Sequence, residues 1–137
     1  MENLLVHYYF ERYLLDVVII TLEKGISASK LDTYQFLPPI DAWGFPKYPG
    51  KTAILPPETD LPVALRSFIN TNRACLLEAD SWLGTWMHPS THCYYLDITT
   101  SRQDLAEARQ EALERSQHEG RKIVALYNSL RDETVYL

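Results

Sequence analysis

Residues 82–98 read WLGTWMHPSTHCYYLDI, a pattern that predicts two strands joined by a short turn. Side chains alternate between the two faces of a strand, so Trp82, Trp86 and His88 should share one face. Pro89-Ser90-Thr91 supplies turn residues between the strands. The two strands should therefore pair as a hairpin.

The chain after this hairpin is predicted to continue as a helix and two more strands. Ser101 and Asp104 have the spacing of a capping box, and Gly120 suits the left-handed end of a helix. The nearly continuous apolar run at 122–127 predicts a central strand covered on both faces. Residues 133–137 predict a last strand at the edge. The carboxyl-terminal half is therefore expected to form a ββαββ unit.

Two further helices are expected before this unit. Residues 3–24 predict an apolar helix ending at Gly25, although the β-branched cluster at 17–20 is also compatible with a strand. Either Thr59 or Asp60, together with Pro62, starts a second helix, which should end near Asn72. The expected fold is one α+β domain over residues 1–137, with a small sheet packed against two to three helices.

Charge and composition exclude several classes of protein. The chain has 13 basic and 18 acidic side chains and a net charge of −5, which argues against binding to nucleic acid or to an acidic membrane surface. Glu11, Arg12 and Asp16 interrupt the apolar amino terminus, which argues against a membrane span and against a cleaved secretion signal. Two cysteines are too few for a disulfide scaffold, so the expected location is the cytoplasm.

The first predicted helix is more apolar than contact with a single sheet requires. Two interpretations stay open: the helix lies at the centre of the fold, or it also packs against a second subunit. In the second case the chain is a homodimer, with Tyr9, Tyr13 and Leu14 as interface residues.

The proline-rich segment 38–57 carries Trp43, Phe45 and Tyr48 between its prolines. These aromatic side chains either hold the loop to the protein or form a platform for an extended peptide of a partner. The edge strand would add Val135 and Tyr136 to such a surface, because an open edge can pair with another strand.

Motifs for catalysis or metal binding are sparse. Residues 49–52 read PGKT but lack the first glycine of a phosphate loop. His88 and His92 flank a turn beside Cys93, yet no second ligand pair completes a zinc site, and such a cysteine is more often a small buried hydrophobe. Three carboxylates could pair as acid and base, although their spacing does not require it: Glu78, Asp80 and Asp97. We therefore expect no catalytic residues, no metal and no cofactor.

Three segments resemble a family of small cyanobacterial proteins: DAWGFPKYPGKT at 41–52, WLGTW at 82–86 and GRKIVALYN at 120–128. The similarity extends over nearly the whole chain and is to the small carboxysome-associated regulators. It implies a non-enzymatic α+β protein that binds the tail of a carboxysome shell protein and modulates shell assembly. It implies no particular binding residue, because no diagnostic motif marks that role.

Two classes of function follow from the sequence. The first is an adaptor or assembly factor that binds an extended peptide or tail of a partner protein. The alternative is a small enzyme or ligand-binding protein that uses the neighbourhood of Trp86, His88, His92 and Cys93.

Overall fold

The structure is a computed structural model that describes residues 2–137, and it has the mixed α+β architecture predicted from the sequence. The helices are α1 (Glu2–Lys24), α2 (Leu61–Leu76) and α3 (Leu105–Glu119). The strands are β1 (Ile26–Ser29), β2 (Trp43–Pro46), β3 (Ala53–Leu55), β4 (Trp82–Met87), β5 (Tyr94–Arg102), β6 (Ala125–Asn128) and β7 (Glu133–Tyr136). They form one curled antiparallel sheet in the order β1-β4-β5-β2-β6-β7, and β3 pairs with β5.

The predicted hairpin is confirmed as β4 and β5, the most extensive strand pair of the sheet. Trp86 lies opposite Tyr95, Gly84 opposite Asp97, and Trp82 opposite Thr99. The long strand β5 pairs with β4 along one edge. Its other edge pairs first with β3 and then with β2. This strand therefore organises the sheet.

The three helices all pack on one face of the sheet. Helices α1 and α2 cover the apolar side chains of β4 and the first half of β5, including Leu83, Leu96 and Ile98. Helix α3 covers Trp43 and Phe45 of β2. The register places Phe45 opposite Thr100, in step with Ile98, so both clusters lie on the same side. In the described chain no helix packs across the opposite side of the sheet, and we call this side the concave face.

A line of buried hydrogen bonds joins α1 to the sheet. The Thr85 hydroxyl lies 2.6 Å from that of Thr21 and 2.5 Å from that of Ser27. The Tyr13 hydroxyl lies 2.6 Å from Ser29 Oγ, and burial raises the pKa of Tyr13 to about 12. These bonds fix the rotation of α1 against β1 and β4. Residues 17–20, for which the sequence also allowed a strand, belong to this continuous helix.

Other helix ends differ from the sequence prediction only in detail. Gly120 ends α3 with φ +66°, as predicted. The start of α3 was placed too early, because β5 continues through Arg102. Asp104 caps the helix and accepts a bond from the Glu107 amide at 2.9 Å. Helix α2 is interrupted at the predicted Asn72 but continues to Leu76.

The position of β6 was predicted wrongly. Its strand is Ala125–Asn128, and it lies beside the edge strand β7 rather than at the centre of the sheet. The reason is β2, which comes from the proline-rich segment and inserts between β5 and β6. The ββαββ order along the chain is correct, and so is the edge position of β7.

In the part of the chain covered by the structure, every helix is too short or too polar to cross a membrane.

Candidate ligand-binding pocket

The concave face encloses a pocket of about 420 Å³. Residues of six strands line it together with Ile20 and Lys24 of α1, and among the described strands β3 contributes none. Because strands from both edges of the sheet reach the same space, the curl of the sheet is what creates the pocket.

The floor consists of two rows of residues from the central hairpin. Strand β4 contributes Trp82, Gly84 and Trp86, and β5 contributes Thr99, Asp97 and Tyr95 opposite them. These six share a face because every second residue of a strand points the same way. The carboxyl of Asp97 thus lies opposite Gly84, on the same face as Trp82, Trp86 and Tyr95.

Small residues give the pocket its depth. Ala28 pairs with Gly84, and Gly44 pairs with Ser101. A Cβ added to Gly84 would lie 2.0 Å from Thr99 Oγ1 and 3.2 Å from Thr99 Cβ. The Thr99 side chain therefore leans over Gly84, and any side chain at position 84 would force Thr99 to move.

Aromatic side chains form the walls on either side of these small residues. The Trp86 ring centroid lies 5.1 Å from that of Tyr95 and 5.0 Å from that of His88. The Lys30 ammonium lies 4.9 Å from the centroid of the Trp82 ring. Such rings provide large, rigid contact areas for an apolar ligand.

Asp97 is the acidic group on the pocket floor. Thr52 Oγ1 donates to its Oδ1 at 2.5 Å. Burial raises the pKa of Asp97 from 3.8 to about 6, against the opposing effects of the Thr52 bond and the positive charge of Arg121. A carboxyl with such a pKa titrates close to neutral pH, which is common in binding and active sites.

The segment 36–42 closes one side of the pocket. The Leu37 amide donates to the Ala28 carbonyl at 2.9 Å, which ties the segment to β1. The Ile40 amide donates to Ser129 Oγ at 3.0 Å, and the Leu130 amide donates to the Ile40 carbonyl at 3.1 Å. The segment therefore bridges from β1 to the turn between β6 and β7.

The predicted aromatic platform does not form. Trp43 and Phe45 are each only 2% exposed, because they lie in β2 beneath α3. Tyr48 is half-buried, and its hydroxyl donates to Glu78 Oε1 at 2.7 Å. The prediction that Trp43 and Phe45 bind a partner is therefore wrong, since a partner cannot reach them in the folded chain.

The predicted dimer surface is also partly wrong. Tyr13 is 2% exposed and Leu14 is 1% exposed, so both belong to the core of the chain itself. Tyr9 is 55% exposed and stays available. On the edge strand, Val135 is half-buried against the cluster under α3, whereas Tyr136 is 55% exposed.

The histidines and the cysteine of the hairpin turn do not line the pocket. The amides of Ser90 and Thr91 point to His88 Nδ1, at 3.1 and 3.4 Å, so this ring caps the turn. His92 is exposed and has φ +60°. Over residues 2–137 no hydrogen bond joins the Cys93 thiol to either histidine, and no three potential ligands cluster for a metal. Of the predicted neighbourhood, Trp86 alone lines the pocket.

The three candidate carboxylates also separate. Glu78 and Asp80 each lie 2.7 Å from Lys47 Nζ. Burial opposes the charge of Lys47, but these hydrogen bonds outweigh it and raise the pKa of the ammonium. Asp97 takes no part in this cluster and is the only one of the three that lines the pocket.

The sequence contained one usable signal for the pocket that the prediction missed. Gly84 stands between Trp82 and Trp86 at alternate positions of a strand, and a glycine there marks a close approach of other atoms. Recognising the opposing residues required the register of β5 and the position of β2.

The lining of the pocket is mostly apolar and carries few ionisable groups. Beside aromatic and aliphatic side chains and several hydroxyls, its described residues include the Asp97 carboxyl and the Lys24 ammonium. Comparison of the chain with protein-family models, with curated proteins and with solved structures gives no match.

Proposed function

We propose that the protein is a non-enzymatic binding protein whose concave face holds a flat, mainly apolar molecule. The observation that carries this proposal is the pocket of about 420 Å³. Its volume falls within the range of about 300–1,000 Å³ that is typical of small-molecule sites. A mostly apolar lining with few convergent polar groups is the usual composition of such sites.

The arrangement of the floor indicates which ligand chemistry fits. Trp82, Trp86 and Tyr95 offer ring faces and edges to an aromatic or alicyclic body. Asp97 accepts one bond from Thr52 and can accept another from a ligand that carries an N–H or O–H group. The expected ligand is therefore an apolar ring system with one hydrogen-bond donor.

A neutral fluorescent amine, N-phenyl-1-naphthylamine, has this chemistry and serves as the probe. Wild-type protein should bind it saturably, with one probe per chain. Trp86→Ala should weaken binding about tenfold, because it removes one wall of the pocket. The measurement is a fluorescence titration.

The matched control is Tyr9→Ala, which removes an exposed aromatic ring outside the pocket. It should bind the probe as wild type does. The proposal fails if wild-type protein shows no saturable binding, or if Trp86→Ala and Tyr9→Ala bind equally well.

A second candidate function is that of an adaptor that binds an extended peptide at β7. Within residues 2–137, strand β7 pairs with β6 alone, which leaves its other edge open. The Leu137 amide donates to the Val124 carbonyl, so alternation directs the Thr134 and Tyr136 amides away from β6. The tail of a carboxysome shell protein is the partner that the family resemblance implies for this edge.

Thr134→Pro tests the adaptor function, because proline removes the outward amide but no bond to β6. Thr134→Ala is the control, since it keeps that amide. Capture from a native lysate should recover a partner with wild type and Thr134→Ala, and lose it with Thr134→Pro. Equal capture by all three chains would exclude strand addition at β7.

A further inference from the structure

Helix α1 exposes a straight apolar stripe on the side away from the core. Its five residues are between 49% and 69% exposed: Leu4, Tyr8, Leu15, Ile19 and Leu22. An α-helix advances about 100° per residue, so these five side chains point within about 60° of one another. We call them the outer stripe.

The outer stripe is not part of the hydrophobic core. The core-facing residues of the same helix, Tyr13, Leu14, Val17 and Thr21, are at most 2% exposed. Their mean direction is about 150° away from that of the outer stripe. A single sequence therefore gives α1 two apolar faces, and the fold buries only one of them.

The exposed surface has the extent that an interface needs. Leu5 flanks the stripe and is 59% exposed, whereas Val6 points toward the core-facing side of the helix. With on the order of 100 Å² per side chain, the stripe and Leu5 offer about 600 Å² per chain, or about 1,200 Å² in a dimer, which is the lower limit for a standard interface. A contiguous apolar surface of this size is at the upper end of what monomers expose, and such surfaces often mark interaction sites.

We propose that the outer stripe is the interface of a homodimer, in which α1 packs antiparallel against α1 of a second copy. The stripe is nearly symmetric about its middle, so Leu4 meets Leu22 of the second copy and Tyr8 meets Ile19. A twofold interface requires such reciprocal pairs. This proposal is independent of the pocket and of any ligand.

Charges beside the stripe favour the antiparallel arrangement. Arg12 and Asp16 are exposed, and within residues 2–137 neither takes part in an ion pair. Antiparallel packing brings Arg12 of one copy near Asp16 of the other. Parallel packing would instead place like charges at the same level, which is unfavourable.

Leu15→Asp tests the interface, because it puts a charge at the centre of the stripe without touching the core. Sedimentation velocity across the micromolar range should show a wild-type dimer and a Leu15→Asp monomer with an unchanged circular dichroism spectrum. The control is Leu113→Asp on α3, where the leucine is 44% exposed, and this variant should remain dimeric. A wild-type monomer, or a dimer that survives Leu15→Asp, would overturn the proposal.

Cysteine cross-linking tests the direction of the helices. A mixture of Leu4→Cys and Leu22→Cys chains should form a disulfide between the two kinds of chain on mild oxidation. Leu4→Cys alone should not cross-link through that position beyond the background set by the native cysteines. Cross-linking by Leu4→Cys alone would indicate parallel helices and contradict the antiparallel arrangement.

Discussion

Leu14→Ala is expected to lower the free energy of unfolding by about 2–5 kcal/mol, the usual cost of truncating a fully buried leucine. Leu14 is 1% exposed and lies where α1 meets α2 and the sheet. The loss combines the hydrophobic transfer energy of the side chain with the cavity that is left behind. Urea unfolding, followed by circular dichroism at one fixed protein concentration, gives the value.

Leu113→Ala on α3 is the matched control, because that leucine is 44% exposed and outside both core clusters. Its effect should stay within about 0.5 kcal/mol. If Leu14→Ala cost no more than Leu113→Ala, the packing of α1 against the sheet described above would be incorrect.

Asp97→Asn is expected to stabilise the protein above pH 6 by about 1–3 kcal/mol and to leave its stability below pH 4 unchanged. Burial raises the pKa of Asp97 from 3.8 to about 6. The folded chain therefore holds this proton more tightly than the unfolded chain does. The contribution of Asp97 to stability is complete below pH 3.8 and is lost as the pH rises through about 6.

Two other carboxylates, Glu78 and Asp80, make contributions to stability that depend on pH in the opposite direction. Bonds to Lys47 lower the pKa of Glu78 and of Asp80, so their contributions are lost on acidification. Because both residues are present in wild type and in Asp97→Asn, the difference between the two chains isolates Asp97. The asparagine oxygen can still accept the bond from Thr52.

Urea unfolding of both chains between pH 4 and pH 8 measures this difference. The control is Asp32→Asn, an exposed carboxylate in the loop after β1, which should show a small difference at every pH. A pH-independent difference between wild type and Asp97→Asn would mean that Asp97 is not desolvated at the pocket floor.

Much of the fold could be predicted because its signals are local. The alternation of residues 82–98 specifies the β4–β5 hairpin, and the positive φ of Gly120 is a backbone requirement that glycine meets best. The edge position of β7 also followed from the sequence. In each case the deciding residues are close together in the chain.

The main errors concern aromatic and apolar residues whose environment depends on distant segments. Trp43 and Phe45 lie among prolines and look like a surface loop, yet they form β2 because β5 and β6 both pair with that segment. Tyr13 and Leu14 were assigned to the wrong side of α1. Neighbouring apolar residues on a helix indicate that two faces are apolar but not which face meets the sheet.

The sequence by itself determined the α+β class, the central hairpin and the end of α3 at Gly120, because these depend on the periodicity and on the start and stop residues of each segment. Only the tertiary structure decided that Gly84, Asp97 and Gly44 meet on one concave face and that Leu15 stays exposed where Leu14 is buried. The physical reason is the pairing of β5 with β2 and β4, together with the hydrogen bonds that set the rotation of α1. Both bring together residues far apart in the chain, and no local pattern encodes such contacts.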